Sequence, residues 1–418
     1  MRTYEKYKDS GISWIGKIPE EWEIRRIKHD CSLHGRIGWN GLRAEEFEKQ
    51  SYAYLVTGQD FHSSDVNWNA CYQINEWRFK EDPFIQLKNG DILITKDGTI
   101  GKIAMVRNLD KPACLNSGIF VMRQKKKQYE QRYLYWSLCS NLLKDFNSYR
   151  STGTTILHLY QNVFENMPLV CPSLFEQEAI ANYLDKKTAE IDKIIAEREK
   201  KIELLNELKS SIISRAVTKG INPHAKMKDS GIDWIGEIPE DWEVRRLKFI
   251  VNLQSGSNLT SEKIKDEGKY PVYGGNGIRG FYSDYNLDGN YVLIGRQGAL
   301  CGNINYSKGK IWATEHAVVC YPIKELNYRW LGSMLKVMNL NQYSTSAAQP
   351  GLAVEKRKNI EIAYPPFKEQ NEISNYITKI ERKINKYSNN TRKTISLLRE
   401  YKQSLISEVV TGKRKEID

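Results

Sequence analysis

The sequence predicts two mixed α/β (α+β) domains in tandem, joined by two long helices that form an antiparallel coiled coil in a pseudo-two-fold repeat. Three observations predict this fold: an internal repeat, two uninterrupted heptad patterns, and short β-branched runs between them. The chain has 418 residues, which is more than one compact core usually holds.

The internal repeat opens and closes each half of the chain. Residues 8–28 (KDSGISWIGKIPEEWEIRRIK) and 228–248 (KDSGIDWIGEIPEDWEVRRLK) differ at only five of 21 positions. A second pair, 176–187 and 369–380, begins EQEAIANYL and EQNEISNYI. The segments between these frames share little sequence. A duplicated scaffold that carries two different inserts explains this pattern.

The repeat divides the chain into four predicted segments. Residues 1–175 form the first domain and 221–366 the second. Residues 176–220 and 367–418 form the first and second helical segments. Within each insert, a β-branched run (residues 90–95 and 291–294) enters a glycine-bounded turn, which is typical of a strand followed by a tight loop. The segments 131–147 and 327–338 have helical spacing, so each insert is predicted to be a mixed α/β domain.

The two helical segments carry apolar heptads without an internal proline or glycine. Gly220 and Gly412 stand where a helix end favours glycine. Because the second domain starts near the end of the first helix and must finish at the start of the second, antiparallel pairing is favoured. The first position of each heptad supplies the predicted packing residues Leu184, Ile191, Leu205, Ile212, Ile377, Ile384, Leu398 and Leu405.

Composition excludes several classes of protein. No stretch approaches the ~20 apolar residues of a membrane span, and the first residues lack the apolar core of a secretory signal. The seven cysteines never occur as CxxC and the six histidines share no metal-ligand spacing, so neither a disulfide framework nor a metal site is expected. We expect a soluble, cytoplasmic protein that does not bind membranes.

Motifs for catalysis are absent from the sequence. There is no GxxxxGK[ST] phosphate loop and no HExxH. Residues 275–280 match GxGxxG, but an aromatic stretch follows instead of a helix, which argues against a dinucleotide site. Residues 364–367 (YPPF) resemble the Asn/Asp-Pro-Pro-Tyr/Phe motif of amino-methyltransferases, but Tyr364 cannot accept a hydrogen bond as an amide or carboxylate would.

The charge balance favours nucleic acid as a partner. Lys and Arg exceed Asp and Glu by 12, and neutralisation of phosphates supplies non-specific DNA affinity. The glycine-bounded turns expose polar side chains that suit phosphates or base edges, although ordinary solvated turns remain an alternative. The predicted DNA-binding residues are Lys96, Thr99, Lys102, Tyr273, Asn276, Arg279, Arg296 and Gln297.

This twofold plan resembles the specificity subunit of type I restriction–modification systems. The opening WIGKIPEEW (14–22) and its twin at 234–242 resemble the family's domain start. Residues 90–93 (GDIL) resemble its target-recognition domain. The second domain exits through 349–352 (QPGL), then Pro365-Pro366 and Glu369-Gln370, like the family's entry into its spacer helix; the first copy has 154–157 (TTIL) instead of QPGL.

The resemblance implies a non-catalytic DNA-recognition subunit. Each recognition domain would contact one half of a bipartite, asymmetric duplex site, and the helices would set the spacer. Two methyltransferase (modification) subunits carrying S-adenosylmethionine would dock on the helices and methylate adenines. Restriction/translocase subunits, with ATP and Mg, would complete the complex, and this chain itself would hold no cofactor.

Two other functions remain open on the sequence. One is a stand-alone DNA methyltransferase with tandem recognition domains, which requires an S-adenosylmethionine loop and an Asn/Asp-Pro-Pro motif. The other is a free-standing DNA-binding protein, which would bind its site tightly without partners. Methyl transfer by the purified chain, or tight specific binding by it, would distinguish them.

Overall fold

The computed structural model describes residues 2–36, 42–62, 64–150, 159–296, 301–343 and 359–415. The chain forms two compact units: residues 1–197 with 393–418 make unit 1, and residues 198–392 make unit 2. Each unit holds one mixed α/β domain with parts of both long helices. The prediction of two mixed α/β domains in tandem is therefore confirmed, and the four-segment division stays a prediction.

Thirteen strands are described in unit 1. They are β1 (Tyr7–Asp9), β2 (Lys17–Pro19), β3 (Glu23–Arg26), β4 (Cys31–His34), β5 (Ala53–Val56), β6 (Phe61–His62), β7 (Asp65–Val66), β8 (Tyr72–Ile74), β9 (Ile92–Thr95), β10 (Ile103–Met105), β11 (Ala113–Leu115), β12 (Ile119–Gln124) and β13 (Pro168–Cys171). The largest sheet has the order β4-β12-β9-β10-β7-β6, and a second sheet has the order β11-β5-β8.

Twelve strands are described in unit 2. They are β14 (Met227–Asp229), β15 (Glu237–Pro239), β16 (Glu243–Arg246), β17 (Val251–Ser255), β18 (Tyr270–Gly274), β19 (Gly277–Tyr282), β20 (Leu287–Asp288), β21 (Val292–Gly295), β22 (Ile304–Tyr306), β23 (Lys310–Ala313), β24 (Ala317–Pro322) and β25 (Glu361–Tyr364). Its two larger sheets have the orders β17-β24-β21-β22 and β19-β18-β23-β20.

The α-helices are α1 (Ile27–Asp30), α2 (Glu76–Lys80), α3 (Gln131–Cys139), α4 (Asn141–Arg150), α5 (Gln161–Phe164), α6 (Leu174–Lys219), α7 (Tyr328–Val337) and α8 (Phe367–Val410). The predicted helix over 131–147 is two helices, because the backbone at Ser140 is extended. The two long helices, α6 and α8, have 46 and 44 residues.

The two inserts share strand order although their sequences differ. In unit 1, β4, β12, β9 and β10 pair antiparallel in that order, and β17, β24, β21 and β22 do the same in unit 2. The second sheets also correspond, because β11 pairs parallel with β5 and β23 pairs parallel with β18. Unit 1 adds the hairpin β6–β7, whose β7 pairs parallel with β10.

The repeated tryptophans and glutamates join each domain to its long helix. Trp22 is 2% exposed and its Nε1 donates to Glu176 at 2.9 Å. In unit 2, the fully buried Trp242 donates to Glu369 at 2.7 Å. A buried indole N–H needs an acceptor, and a glutamate in the first helical turn supplies it. These repeated residues therefore have a structural role.

The adjacent glutamine is a second repeated connection. Gln177 and Gln370 are both fully buried. Gln177 Oε1 accepts from Glu130 N, the N-cap of α3, at 2.8 Å, and Gln370 Oε1 accepts from Asn327 N, the N-cap of α7, at 3.0 Å. The amide nitrogen of each donates to a proline carbonyl, Pro172 or Pro365. The repeated Glu-Gln pair thus fixes the start of each long helix against its own domain.

The long helices run in opposite directions within each unit. In unit 1, the start of α6 bonds Trp22 through Glu176, and Gly412, just after α8, lies against the same indole. In unit 2, Lys209 Nζ lies 3.4 Å from Asn385 Oδ1, and Gly220 lies against Glu369. An antiparallel coiled coil along the full length stays a prediction.

All eight predicted packing residues are at least half-buried. Five are buried, namely Leu184, Ile191, Ile377, Ile384 and Leu405, and three are half-buried, namely Leu205, Ile212 and Leu398. Their buried neighbours are Ile195, Ile202, Ser388 and Ile395, at the fifth heptad position, whereas Ile194 and Leu208, at the fourth, are 40% and 51% exposed. The buried seam thus combines the first and fifth positions, not the first and fourth.

Candidate nucleic-acid interface

In unit 1, the turn between β9 and β10 is closed by a buried threonine. The Thr95 hydroxyl donates to Thr99 O at 2.6 Å and accepts from Lys102 N at 2.9 Å. Gly98 and Gly101 have φ of +68° and +79°, a backbone conformation that favours glycine. The two glycines seen in the sequence therefore permit a tight tip, defined here as tip 1, residues 96–102.

Tip 1 presents the three predicted residues unequally. Thr99 and Lys102 are exposed. Lys102 Nζ approaches Gly58 O at 3.5 Å, which leaves the ammonium room for another acceptor. Lys96 is half-buried and its Nζ lies 4.8 Å from the centre of the Phe120 ring, a cation–π contact. Lys96 is thus partly engaged within the domain, and Thr99 and Lys102 are the accessible groups.

In unit 2, the equivalent turn, tip 2, spans residues 296–303, and Gln297 lies outside the described residues. Arg296 is exposed, its backbone N donates to His316 O at 2.9 Å, and its Nη1 lies 3.5 Å from Ser255 Oγ. Cys301 Sγ donates to Arg296 O at 3.0 Å. The backbone of Arg296 is therefore fixed while its guanidinium faces the outside.

The predicted residues Tyr273, Asn276 and Arg279 lie in or beside the turn between β18 and β19 and have different roles. Asn276 is exposed, and its Oδ1 accepts from Asn303 Nδ2 at 2.9 Å. Arg279 is also exposed and its stem covers Gly274. Tyr273 instead packs against the buried cluster around Leu293, and burial raises the pKa of its hydroxyl. Asn276 thus belongs with tip 2, and Tyr273 contributes to the core.

The backbone hydrogen bonds give a residue-by-residue equivalence between the tips. Lys96 N donates to Gly118 O just before β12, and Arg296 N donates to His316 O just before β24. At the other side, Thr95 N donates to Lys102 O, and Gly295 N donates to Asn303 O. Lys96 therefore corresponds to Arg296, and Lys102 corresponds to Asn303.

Asn303 is a candidate residue that the sequence analysis missed. An alignment of β9 with β21, continued through the turn to the next strand, matches Asn303 with Lys102. The turn of unit 2 is one residue longer, so a fixed offset does not reveal the match. The signal lies in the strand that follows each tip, where Ile103 pairs with Ile94 and Ile304 pairs with Ile294.

Disulfide bonds, metal centres and membrane spans are three other features that the described residues could form. All seven cysteines are free thiols. Within the described ranges, no three His, Cys, Asp or Glu side chains group as metal ligands. In the same part of the chain, no helix has the length together with the apolar character needed to cross a membrane. The GxGxxG match at 275–280 runs into strand β19 and not into a helix.

A family model described as type I restriction modification DNA specificity domain matches residues 19–204 and 239–396. The EcoprrI specificity subunit of Escherichia coli is 42% identical over 141 residues, 33% of this chain and 35% of that protein. The MjaVIII specificity subunit of Methanocaldococcus jannaschii is 32% identical over 253 residues, 60% of this chain and 54% of the relative. The chain thus spans about a third to a half of these two relatives.

A longer match and two solved structures extend the likeness. The EcoBI specificity subunit of Escherichia coli is 23% identical, covering 98% of this chain and 90% of its own. A chain from a type I R-M system solved for its complex assembly and conformational transition gives a TM-score of 0.72 at 16% identity, covering 95% of this chain and 99% of its own. HsdS from Thermoanaerobacter tengcongensis gives 0.53 at 16% identity, covering 95% and 98%. At that identity these structures concern the fold alone.

Proposed function

The chain belongs to the type I restriction–modification DNA specificity family, and from that membership we propose that it is the non-catalytic subunit that selects the DNA sequence. Each α/β domain contacts one half of a bipartite duplex site. The domain in unit 1 contacts DNA through tip 1, and the domain in unit 2 through tip 2 with the loop at Asn276. Phosphate contacts by lysine and arginine supply affinity, and base-edge contacts supply specificity.

The observation that carries this proposal is that two domains with the same strand order end in tips with different side chains. Both domains use the same strand order, and equivalent hydrogen bonds hold the tips. The side chains at equivalent positions differ. Lys96 of tip 1 corresponds to Arg296 of tip 2, and Lys102 corresponds to Asn303. A shared strand order with different exposed tips suits two domains that recognise two different half-sites. The target is therefore asymmetric.

The exposed apolar side chains of the long helices support a docking role. In unit 1, Ile194, Leu397 and Tyr401 are 40–55% exposed. In unit 2, Leu204, Leu208 and Tyr387 are 41–53% exposed. Leu204 and Leu208, and likewise Leu397 and Tyr401, are four residues apart and share one helix face. Contiguous exposed apolar groups favour a protein partner. We propose that two methyltransferase subunits dock on these faces. We also propose that the helices pair as an antiparallel coiled coil and set the length of the spacer.

The proposal places the cofactors on the partners. S-adenosylmethionine is held by the methyltransferase subunits, and ATP and Mg by the restriction/translocase subunits. DNA is the shared ligand of the assembly, which therefore works in the cytoplasm beside the chromosome.

A methyl-transfer assay with and without partners tests this function. The purified chain is expected to transfer no methyl group from labelled S-adenosylmethionine to duplex DNA. The same chain copurified with the modification subunits encoded by its host is expected to methylate adenine at one bipartite site. Methyl transfer by the chain alone would contradict the proposal and favour a stand-alone methyltransferase. Tight site-specific binding by the chain alone, with no partner recovered, would favour a free-standing DNA-binding protein.

A further inference from the structure

Tip 2 joins the two sheets of its domain through a pair of amide side chains. Asn303 precedes β22, and Asn276 lies in the turn between β18 and β19 of the other sheet. Their 2.9 Å hydrogen bond connects the two loops. At the equivalent place in tip 1, Lys102 reaches Gly58 O in the loop after β5. The same junction thus carries an ammonium in one domain and an amide pair in the other.

The amide pair keeps hydrogen-bonding capacity for a ligand. One carbonyl oxygen and one N–H are used in the bond between Asn276 and Asn303. One amide N–H₂ group and one carbonyl oxygen are left, whichever way the amides are oriented. Asn276 is exposed and Asn303 is half-buried. The pair therefore presents a donor beside an acceptor to the outside, next to the exposed Arg296.

A donor beside an acceptor distinguishes between DNA groups. Phosphate oxygens only accept, so the carbonyl oxygen would face a negative charge there. Guanine presents two acceptors, N7 and O6, in the major groove, whereas adenine presents the acceptor N7 beside the donor N6–H₂. Adenine thus matches both members of the pair. An ammonium such as that of Lys102 has donors only, and it matches guanine or phosphate.

We propose that Asn276 and Asn303 together recognise an adenine from the major groove of the half-site contacted by unit 2. This inference rests on the proposed function and adds to it the base that one position selects. Arg296, fixed through its backbone beside Asn303, holds the neighbouring phosphate or guanine. Exchange of a side chain at position 303 therefore changes one base pair of the target and leaves the other half-site unchanged.

The test measures specificity at single base pairs. The full chain, copurified with its modification subunits, is given duplexes in which each base pair of the second half-site is varied in turn. N303A is expected to reduce discrimination for A·T at one position by about 5- to 160-fold, the loss of one bidentate contact. N303K is expected to shift preference at that same position towards G·C. N276A is expected to reduce discrimination at the same base pair.

The control is N252A, an exposed asparagine near the opposite end of β17 from the tip, which should leave every position unchanged. Full A·T discrimination by both N303A and N276A would overturn the inference, and so would relaxation at different base pairs. Loss of all methylation by N303A would overturn it too, because Asn303 would then be needed for the fold. If the unsubstituted complex showed no bipartite preference at all, the proposed function itself would fail.

Discussion

At the scale of single residues, the indole of Trp242 and the carboxyl of Glu369 show how the repeated frame is stabilised. Trp242 is fully buried and donates to Glu369 at 2.7 Å. Burial raises the pKa of the Glu369 carboxyl, and the hydrogen bond from Trp242 opposes that rise. The indole therefore stabilises the ionised form of a carboxylate that its surroundings disfavour.

We expect W242F to destabilise the protein more at pH 7 than at pH 4. At pH 7 the carboxylate loses a hydrogen bond to a charged acceptor, about 1.5–3 kcal/mol. As pH falls through the raised pKa, the carboxyl is protonated and this part of the loss disappears. Urea unfolding at both pH values measures the difference. W330F is the control, because Trp330 is fully buried and its Nε1 has no hydrogen-bond partner among the described residues. An equal pH dependence in both variants would contradict the expected role of the Trp242–Glu369 bond.

Buried thiols give a second prediction at this scale. Burial raises the pKa of Cys31 and Cys71 to about 12 and that of Cys114 to about 11. Since the thiolate is the nucleophile, iodoacetamide at pH 8 should leave these three thiols unmodified in the native protein. Peptide mass spectrometry locates the label, and all seven cysteines should react in urea. Rapid native labelling of Cys31 would show that its environment is not closed to solvent.

At the scale of elements, glycines end both long helices under different constraints. Gly220 and Gly412 have φ of +74° and +72°. A Cβ at Gly412 would overlap the Pro19 ring, whereas a Cβ at Gly220 would first meet Glu369 Oε1 at 3.0 Å. Gly231 has a similar φ of +69° with open space around it.

Alanine substitutions at these three glycines should lower the free energy of unfolding by increasing amounts. G231A should cost about 1–2 kcal/mol, the strain of a left-handed alanine. G220A should cost somewhat more, and G412A should cost about 1–3 kcal/mol beyond the strain, because a rigid ring must move. Thermal or denaturant unfolding of the three variants checks the order. Equal losses would mean that backbone strain alone decides.

Sequence reasoning reached some elements and missed others for physical reasons. The helix ends at Gly220 and Gly412 follow from local chemistry. The buried seam of the helices could not be predicted in the same way, because apolar residues fill both the fourth and the fifth heptad positions. Packing against the partner helix determines which of the two positions is buried. The Asn276–Asn303 bond joins two loops of different sheets, so no local pattern contains it. Tyr273 is predicted to bind DNA, but strand β18 turns its side chain towards the core.

At the scale of the whole molecule, the two domains should be independent in specificity. Replacing the insert 29–175 with that of another specificity subunit should change one half-site and leave the other. The shared frame, including Trp22, Glu176 and Gln177, must be kept for the exchange to fold. Methylated-motif mapping checks the outcome. A change in both half-sites would contradict separate recognition by the two domains.

The spacer should follow helix length. Seven added residues in each long helix, placed after residues 197 and 392, lengthen the helices by about 10.5 Å. That corresponds to about three base pairs at 3.4 Å each. Both half-sites should stay the same while the spacer grows. An unchanged spacer would show that the helices do not set the distance.

On the proposed function, this chain selects a bipartite DNA site for methylation by its partners. The most direct measurement is methylome sequencing of host DNA with the gene intact and with the gene deleted. We expect one bipartite, asymmetric, adenine-methylated motif to be present in the first strain and absent in the second. Persistence of every methylated motif after deletion, with the modification subunits expressed, would contradict it.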